Sequence, residues 1–302
     1  MSIKIGIALG SGSSRGWSHI GVFHALAELG IEPDVVCGTS VGALIGAAYV
    51  TNRMDKLEQW VSSITKFEIA RFYEINARLN GFVNKERFHQ FLTEYVVDDD
   101  ALIEDQPRLY ASVATDLESG REVWMSKGPM IEAVWSSISL PGLFPAIRND
   151  DRWLVDGGLV NPVPVSVCRA LGADIVIAVN LNGDIVGKHF KQPQAEDRPK
   201  PGVVGRITDL VMDYTESVFS ARKEQYEAPG LFEAIAGSVN ITQDRITRSR
   251  MAGDPPDILL SPKLSHIGLL DFHRAKEAMK EGRDCVRRMS PEIRYVLGIA
   301  GL

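Results

Sequence analysis

Twice within its first fifty residues the chain passes from a short apolar strand pattern through a glycine-bearing turn into a helix, and this repetition constrains the fold more than any other feature. Residues 3–9 are β-rich and apolar, and they run into Gly10-Ser11-Gly12-Ser13-Ser14-Arg15-Gly16 and then an amphipathic stretch, 17–29, that stops at Gly30. Residues 34–37 repeat the strand, Gly38-Thr39-Ser40-Val41-Gly42 makes a tighter turn, and 43–50 form a helix rich in small residues. Consecutive units of this kind need parallel strands joined by helical crossovers. The expected fold is therefore α/β, a largely parallel sheet covered by helices on both faces. Residues 109–115, 123–126, 153–155 and 175–180 supply further strands, the last a continuous apolar run typical of a central parallel strand.

The rest of the chain reads as one domain, 1–302, with its core in 3–182. Helix-spaced apolar positions between 56 and 95 (Leu57, Trp60, Val61, Ile64, Phe88, Phe91, Leu92) are expected in the core. After Leu181 the composition turns to Gly, Pro and charge, so 183–205 is expected to be a mobile loop. A helical insertion over 206–249 follows, with helices near 204–219 and 231–246. A closing strand and helix over 257–283 complete the domain, the helix running 271–281 with Asp271 as N-cap and Gly282 at its C-terminal side.

Bulk composition excludes several function classes. With 33 basic and 39 acidic residues the net charge is -6, which argues against general affinity for nucleic acid or anionic membranes, although Arg245, Arg248 and Arg250 could form a local basic patch. Cys37, Cys168 and Cys285 are far apart and in no metal-ligand spacing, so neither a disulfide framework nor a metal site is expected, and a reducing cytoplasm fits best. Residues 1–9 lack a signal-peptide pattern, and no run of roughly 18 apolar residues could span a bilayer. Any contact with a membrane surface would come from the aqueous side.

Gly38-Thr39-Ser40-Val41-Gly42 carries the sharpest chemical signal. Acyl transfer by serine needs the hydroxyl raised on a strained strand-to-helix turn, where backbone crowds the residues two before and two after it; Gly38 and Gly42 stand there. The helix beginning after Ser40 also aims its amides toward an oxyanion forming beside it, with Val41 N–H as one donor. The loop Gly10 to Gly16 is a second source of amides. It could hold a phosphate or an oxyanion. Arg15 occupies the place where a dinucleotide fingerprint needs glycine, and no Gly-Lys-Ser/Thr ends the loop, so an oxyanion hole formed by Ser11, Gly12 and Ser13 is the better reading. Arg15 is expected to brace that loop, a surface charge being the plain alternative. A base is still required. The six histidines show no suitable setting, whereas Asp156 ends an apolar strand and is followed by Gly157 and Gly158.

In order and approximate spacing these motifs, together with Ser139-Leu140-Pro141-Gly142-Leu143-Phe144-Pro145, resemble the patatin-like phospholipase family over about residues 3–182. Residues 254–257 and 270–275 look like its bacterial RssA-type subgroup. The resemblance implies a three-layer α/β/α fold, a Ser40–Asp156 dyad, an oxyanion loop at residues 11–13, and hydrolysis of a fatty-acyl ester such as a phospholipid or lysophospholipid without any cofactor. Leu140, Pro141, Leu143 and Phe144 are assigned to the acyl chain. One departure is plain: many members have three glycines where this chain has Ser11-Gly12-Ser13. A thioesterase or acyltransferase, a phosphate-binding regulator using the loop without chemistry, and a degraded hydrolase acting as an interaction partner remain open alternatives.

Overall fold

Side chains that alternate between two buried faces of the central strands decide the layers. The computed structural model describes residues 3–72, 83–185 and 231–299. Its sheet holds β1 (Ile5–Leu9), β2 (Val35–Thr39), β3 (Leu109–Asp116), β4 (Glu122–Met125), β5 (Ile147–Asn149), β6 (Arg152–Asp156), β7 (Ile175–Val179) and β8 (Ile258–Leu260), in the order β5-β6-β3-β2-β1-β7-β8, with β4 also paired to β3. Ile7, Leu9, Ile177 and Val179 point to one face, where they pack in the larger core; Ala8, Val176 and Ala178 point to the other, in a smaller core with Val167 and Cys168. Strands buried on both faces explain the continuous apolar runs. The pairings β3-β2-β1-β7-β8 are parallel, whereas β4, β5 and β6 run antiparallel to their neighbours.

The helices are α1 (Ser18–Glu28), α2 (Val41–Val50), α3 (Met54–Ser63), α4 (Lys66–Ala70), α5 (Lys85–Tyr95), α6 (Met130–Ile138), α7 (Val165–Ala170), α8 (Leu231–Gly253) and α9 (Ala275–Val296). Two expectations need correction. The helix expected over 271–281 instead begins at Ala275 and continues to Val296, and Asp271 makes no capping bond to it. Gly282 does not end it. A Cβ there would lie 2.0 Å from Ser18 O, and one at Gly21 would lie 1.9 Å from Met279 O, so these glycines let α1 and α9 cross backbone to backbone. The helix expected at 231–246 runs on to Gly253. Residues 186–230, which hold most of the expected loop and the helix at 204–219, lie outside the described residues. Of the expected basic patch, Arg248 pairs with Asp244 and Arg250 with Glu122.

One pairing detail positions the site. On β3, residues 109–113 pair with β2, 112–115 with β4 and 114–116 with β6. Because β4 overlaps both of the others, β2 and β6 must share the opposite edge of β3 and meet head to head. Thr39 lies beside Val113 and Asp156 beside Ala114. Neither chain can continue straight, so both leave the sheet at that point, after Thr39 and after Asp156.

Candidate functional site

Ser40 makes its turn with φ 57° and ψ −125°, a left-handed conformation that costs a non-glycine residue about 1–3 kcal/mol. The crowding around it is measurable. A Cβ at Gly38 would lie 2.4 Å from Gly42 O and Ala43 N, and one at Gly42 would lie 2.2 Å from Leu9 O. Ser40 N–H donates to Ser137 Oγ at 2.9 Å, and Ser137 Oγ donates to Val113 O at 2.6 Å, which ties the elbow to β3.

Facing it, Asp156 is held by its backbone: its N–H donates to Ser139 O at 3.0 Å, and its carbonyl accepts from Thr115 Oγ1 at 2.8 Å. Its carboxylate is buried and accepts two hydrogen bonds, from Ser40 Oγ at 2.6 Å and Gly158 N–H at 2.7 Å. Burial raises the Asp156 pKa from the usual 3.8 to about 6, the two hydrogen bonds opposing the rise. The carboxylate is thus a better base than an exposed aspartate, and it stays mostly ionised at pH 7.

The loop after β1 is held from behind. His19 Nε2 meets Gly10 O at 2.9 Å, Asn182 Nδ2 donates to Ser11 O at 3.3 Å, and Arg15 Nε donates to Gly12 O at 3.2 Å. In a trans peptide the N–H points opposite to the carbonyl, so clamping these three oxygens sends the amides of Ser11, Gly12 and Ser13 the other way. The Ser11 amide then meets Pro162 O at 2.9 Å, which corrects its expected place among the oxyanion donors. Gly12 and Ser13 N–H have no backbone acceptor among the described residues. Val41 N–H, in the first turn of α2, has no intrahelical acceptor either. Ser13 adopts φ 53°, a conformation that glycine takes without strain.

Arg15 is no surface charge. It is fully buried, its Nη2 donates to Asn240 Oδ1 at 2.9 Å, its Nη1 has no partner among the described residues, and burial lowers its pKa to about 10. The remaining motif glycines allow close packing. A Cβ at Gly10 would lie 2.5 Å from Val179 O, at Gly16 2.2 Å from the Val41 side chain, at Gly157 2.1 Å from Val113 O, and at Gly158 2.4 Å from Gln243 Nε2.

Ser40 and Asp156 open into a cavity of about 130 Å³. Ser11, Gly12, Ser13 and Val41 line it beside them. Leu140, Leu143 and Phe144 form part of the wall as expected, but Pro141 does not: it sits on an exposed turn. Trp60, Phe88 and Phe91, expected in the core, line the cavity while packing on one another and on Phe144, with Phe88 and Phe144 ring centroids 5.2 Å apart. Leu44 on α2 and Phe72 extend the apolar wall. Among the described residues no Lys, Arg or His lines the cavity, and no three His, Cys, Asp or Glu side chains form a metal-ligand set.

Sequence reasoning missed His19, Ser137, Asn182, Asn240 and Gln243. His19 is fully buried and its pKa falls to about 4 through desolvation, so it serves the loop as a neutral ring. A histidine two residues into a helix that follows a glycine-rich loop was the available signal for its role. The others join the site across more than ninety residues of chain, and no local pattern marks them.

The family model described as patatin-like phospholipase matches residues 7–169. An uncharacterized NTE family protein of Mycobacterium tuberculosis is 29% identical over 332 residues, covering 93% of this chain and 90% of its own. Human patatin-like phospholipase domain-containing protein 6 is 32% identical over 187 residues, 59% of this chain but 13% of that protein. Among solved structures, VipD from Legionella pneumophila aligns over 98% of this chain and 66% of its own with a TM-score of 0.46 and 13% identity.

Proposed function

Because the chain belongs to the patatin-like phospholipase family, we propose that it hydrolyses fatty-acyl carboxylic esters, such as those of phospholipids or lysophospholipids, through an acyl-Ser40 intermediate. The observation that carries this reading is the 2.6 Å hydrogen bond from Ser40 Oγ to a buried Asp156 at the floor of an apolar cavity. Asp156 takes the hydroxyl proton as Ser40 Oγ bonds to the ester carbon, and the carbonyl oxygen gains negative charge. Gly12, Ser13 and Val41 N–H receive that charge, each such donor contributing about a hundredfold or more to the rate. Collapse breaks the bond to the alcohol oxygen, which takes the proton from Asp156. Water, deprotonated by Asp156, then releases the fatty acid and restores Ser40. No cofactor is needed for these steps.

The apolar wall receives the acyl chain. Phe67 on α4 is 74% exposed, two residues from Ile69 of the cavity wall, and this rim is the face that meets a lipid aggregate. Among the described residues no helix is long and apolar enough to cross a membrane.

The test is covalent labelling with a fluorophosphonate, read as mass gain, together with p-nitrophenyl ester turnover. Wild type is labelled and active, Ser40→Ala is neither, and Asp156→Ala loses turnover. A wild type that neither labels nor turns over would refute the hydrolase reading in favour of a phosphate- or partner-binding role.

A further inference from the structure

Among the described residues of the cavity wall, one polar side chain belongs neither to the dyad nor to the loop after β1. Gln243, buried on α8, is held by its carboxamide oxygen, which accepts from Ser11 Oγ at 3.1 Å and from Asn182 Nδ2 at 2.9 Å. The orientation follows from Asn182. The same Asn182 atom reaches the main-chain oxygen of Ser11 at 3.3 Å; a carbonyl only accepts, so that atom is nitrogen and the Gln243 atom facing it is oxygen. The Gln243 NH2 group therefore lies at the other end. It sits 2.4 Å from the point a Cβ on Gly158 would occupy, and Asp156 Oδ1 lies 2.9 Å from that same point. A side chain at 158 would displace it, so glycine there leaves a fixed donor next to the carboxylate.

Reaction geometry assigns a partner to that donor. Asp156 must pass its proton to the departing oxygen, which brings the alcohol half of the ester to the carboxylate side, while the carbonyl oxygen faces Gly12, Ser13 and Val41. We propose that Gln243 forms a subsite for the alcohol half of the substrate, with Nε2 donating to an oxygen carried on the carbon next to the ester-bearing one, as in esters of glycerol. This rests on the hydrolase reading above. Most of the cavity wall is apolar and selects the acyl chain by contact, so Gln243 supplies the polar discrimination between alcohols.

The experiment compares kcat/KM for a monoacylglycerol and for the p-nitrophenyl ester of the same fatty acid, whose ring carries no oxygen beside the ester. Wild type, Gln243→Met and Gln243→Glu are measured. Gln243→Glu keeps an acceptor for Ser11 and Asn182 while removing the donor; the charge it adds beside Asp156 slows both esters alike and cancels in their ratio, so the ratio reads donor loss. The expected result in both variants is a fall of about tenfold in the glyceryl-to-aryl ratio, the worth of one hydrogen bond. A ratio unchanged from wild type in both variants overturns the subsite, and a parallel fall on both esters in Gln243→Met then makes Gln243 a brace of the loop. A wild type that hydrolyses neither ester overturns the hydrolase reading and the subsite with it.

Discussion

Replacing Asp156 by asparagine removes the proposed base and also stabilises the folded protein, by an amount that grows with pH. Burial raises the carboxyl from 3.8 to about 6, so ionising it in the folded state costs about 3 kcal/mol at neutral pH and above. The sign follows from linkage: with the folded pKa above the unfolded one, the contribution of Asp156 is full below pH 3.8 and is lost as pH rises through about 6. Asparagine has no charge to desolvate. Its oxygen still accepts from Gly158 N–H, and its amide can face Ser40 Oγ. The stability of the variant relative to wild type therefore widens by about 3 kcal/mol between about pH 4 and about pH 8. With an unfolding entropy of roughly 2.1 cal/mol/K per residue, this is about 5 °C in Tm for a chain of 302 residues. Thermal and urea unfolding of both proteins at several pH values give the gap directly. A gap that is flat with pH, or that narrows above pH 6, refutes the claim that burial perturbs Asp156. Wild-type kcat/KM should rise through about pH 6 as Asp156 ionises, and a flat profile there removes it as the base.

Three further outcomes follow from the same geometry. Gly42→Ala places a methyl 2.2 Å from Leu9 O, so it should cost about 3 kcal/mol or more in urea unfolding and abolish turnover, because backbone cannot yield as a side chain can. Ser13 sits at φ 53°; Ser13→Gly should keep stability within about 1 kcal/mol of wild type and retain activity, whereas a β-branched Ser13→Val should cost about 2 kcal/mol, and equal stabilities for the two would contradict the strain. Leu44→Trp fills the cavity one turn beyond Ser40, so preference should move from long to short acyl esters, each methylene having contributed about 0.8 kcal/mol, while turnover of an acetyl ester persists.

Sequence alone determined what depends on neighbours in the chain. The two strand-turn-helix units, the parallel core of the sheet and the elbow at Ser40 are legible because steric crowding at Gly38 and Gly42 acts over two residues, a range that spacing records. Asp156 was legible as the end of an apolar strand. The rise of its pKa to about 6 was not, since it comes from burial by residues distant in sequence. Tertiary structure decided the rest. Ser40 and Asp156 meet because β2 and β6 share one edge of β3 and collide at Val113 and Ala114, a consequence of strand register. It likewise withdrew the Ser11 amide from the oxyanion loop, turned Arg15 inward, faced Pro141 to solvent and brought Gln243 across 232 residues to Ser11. Pairwise contacts between distant segments leave no periodicity in either segment, so these features become readable only once the chain is folded.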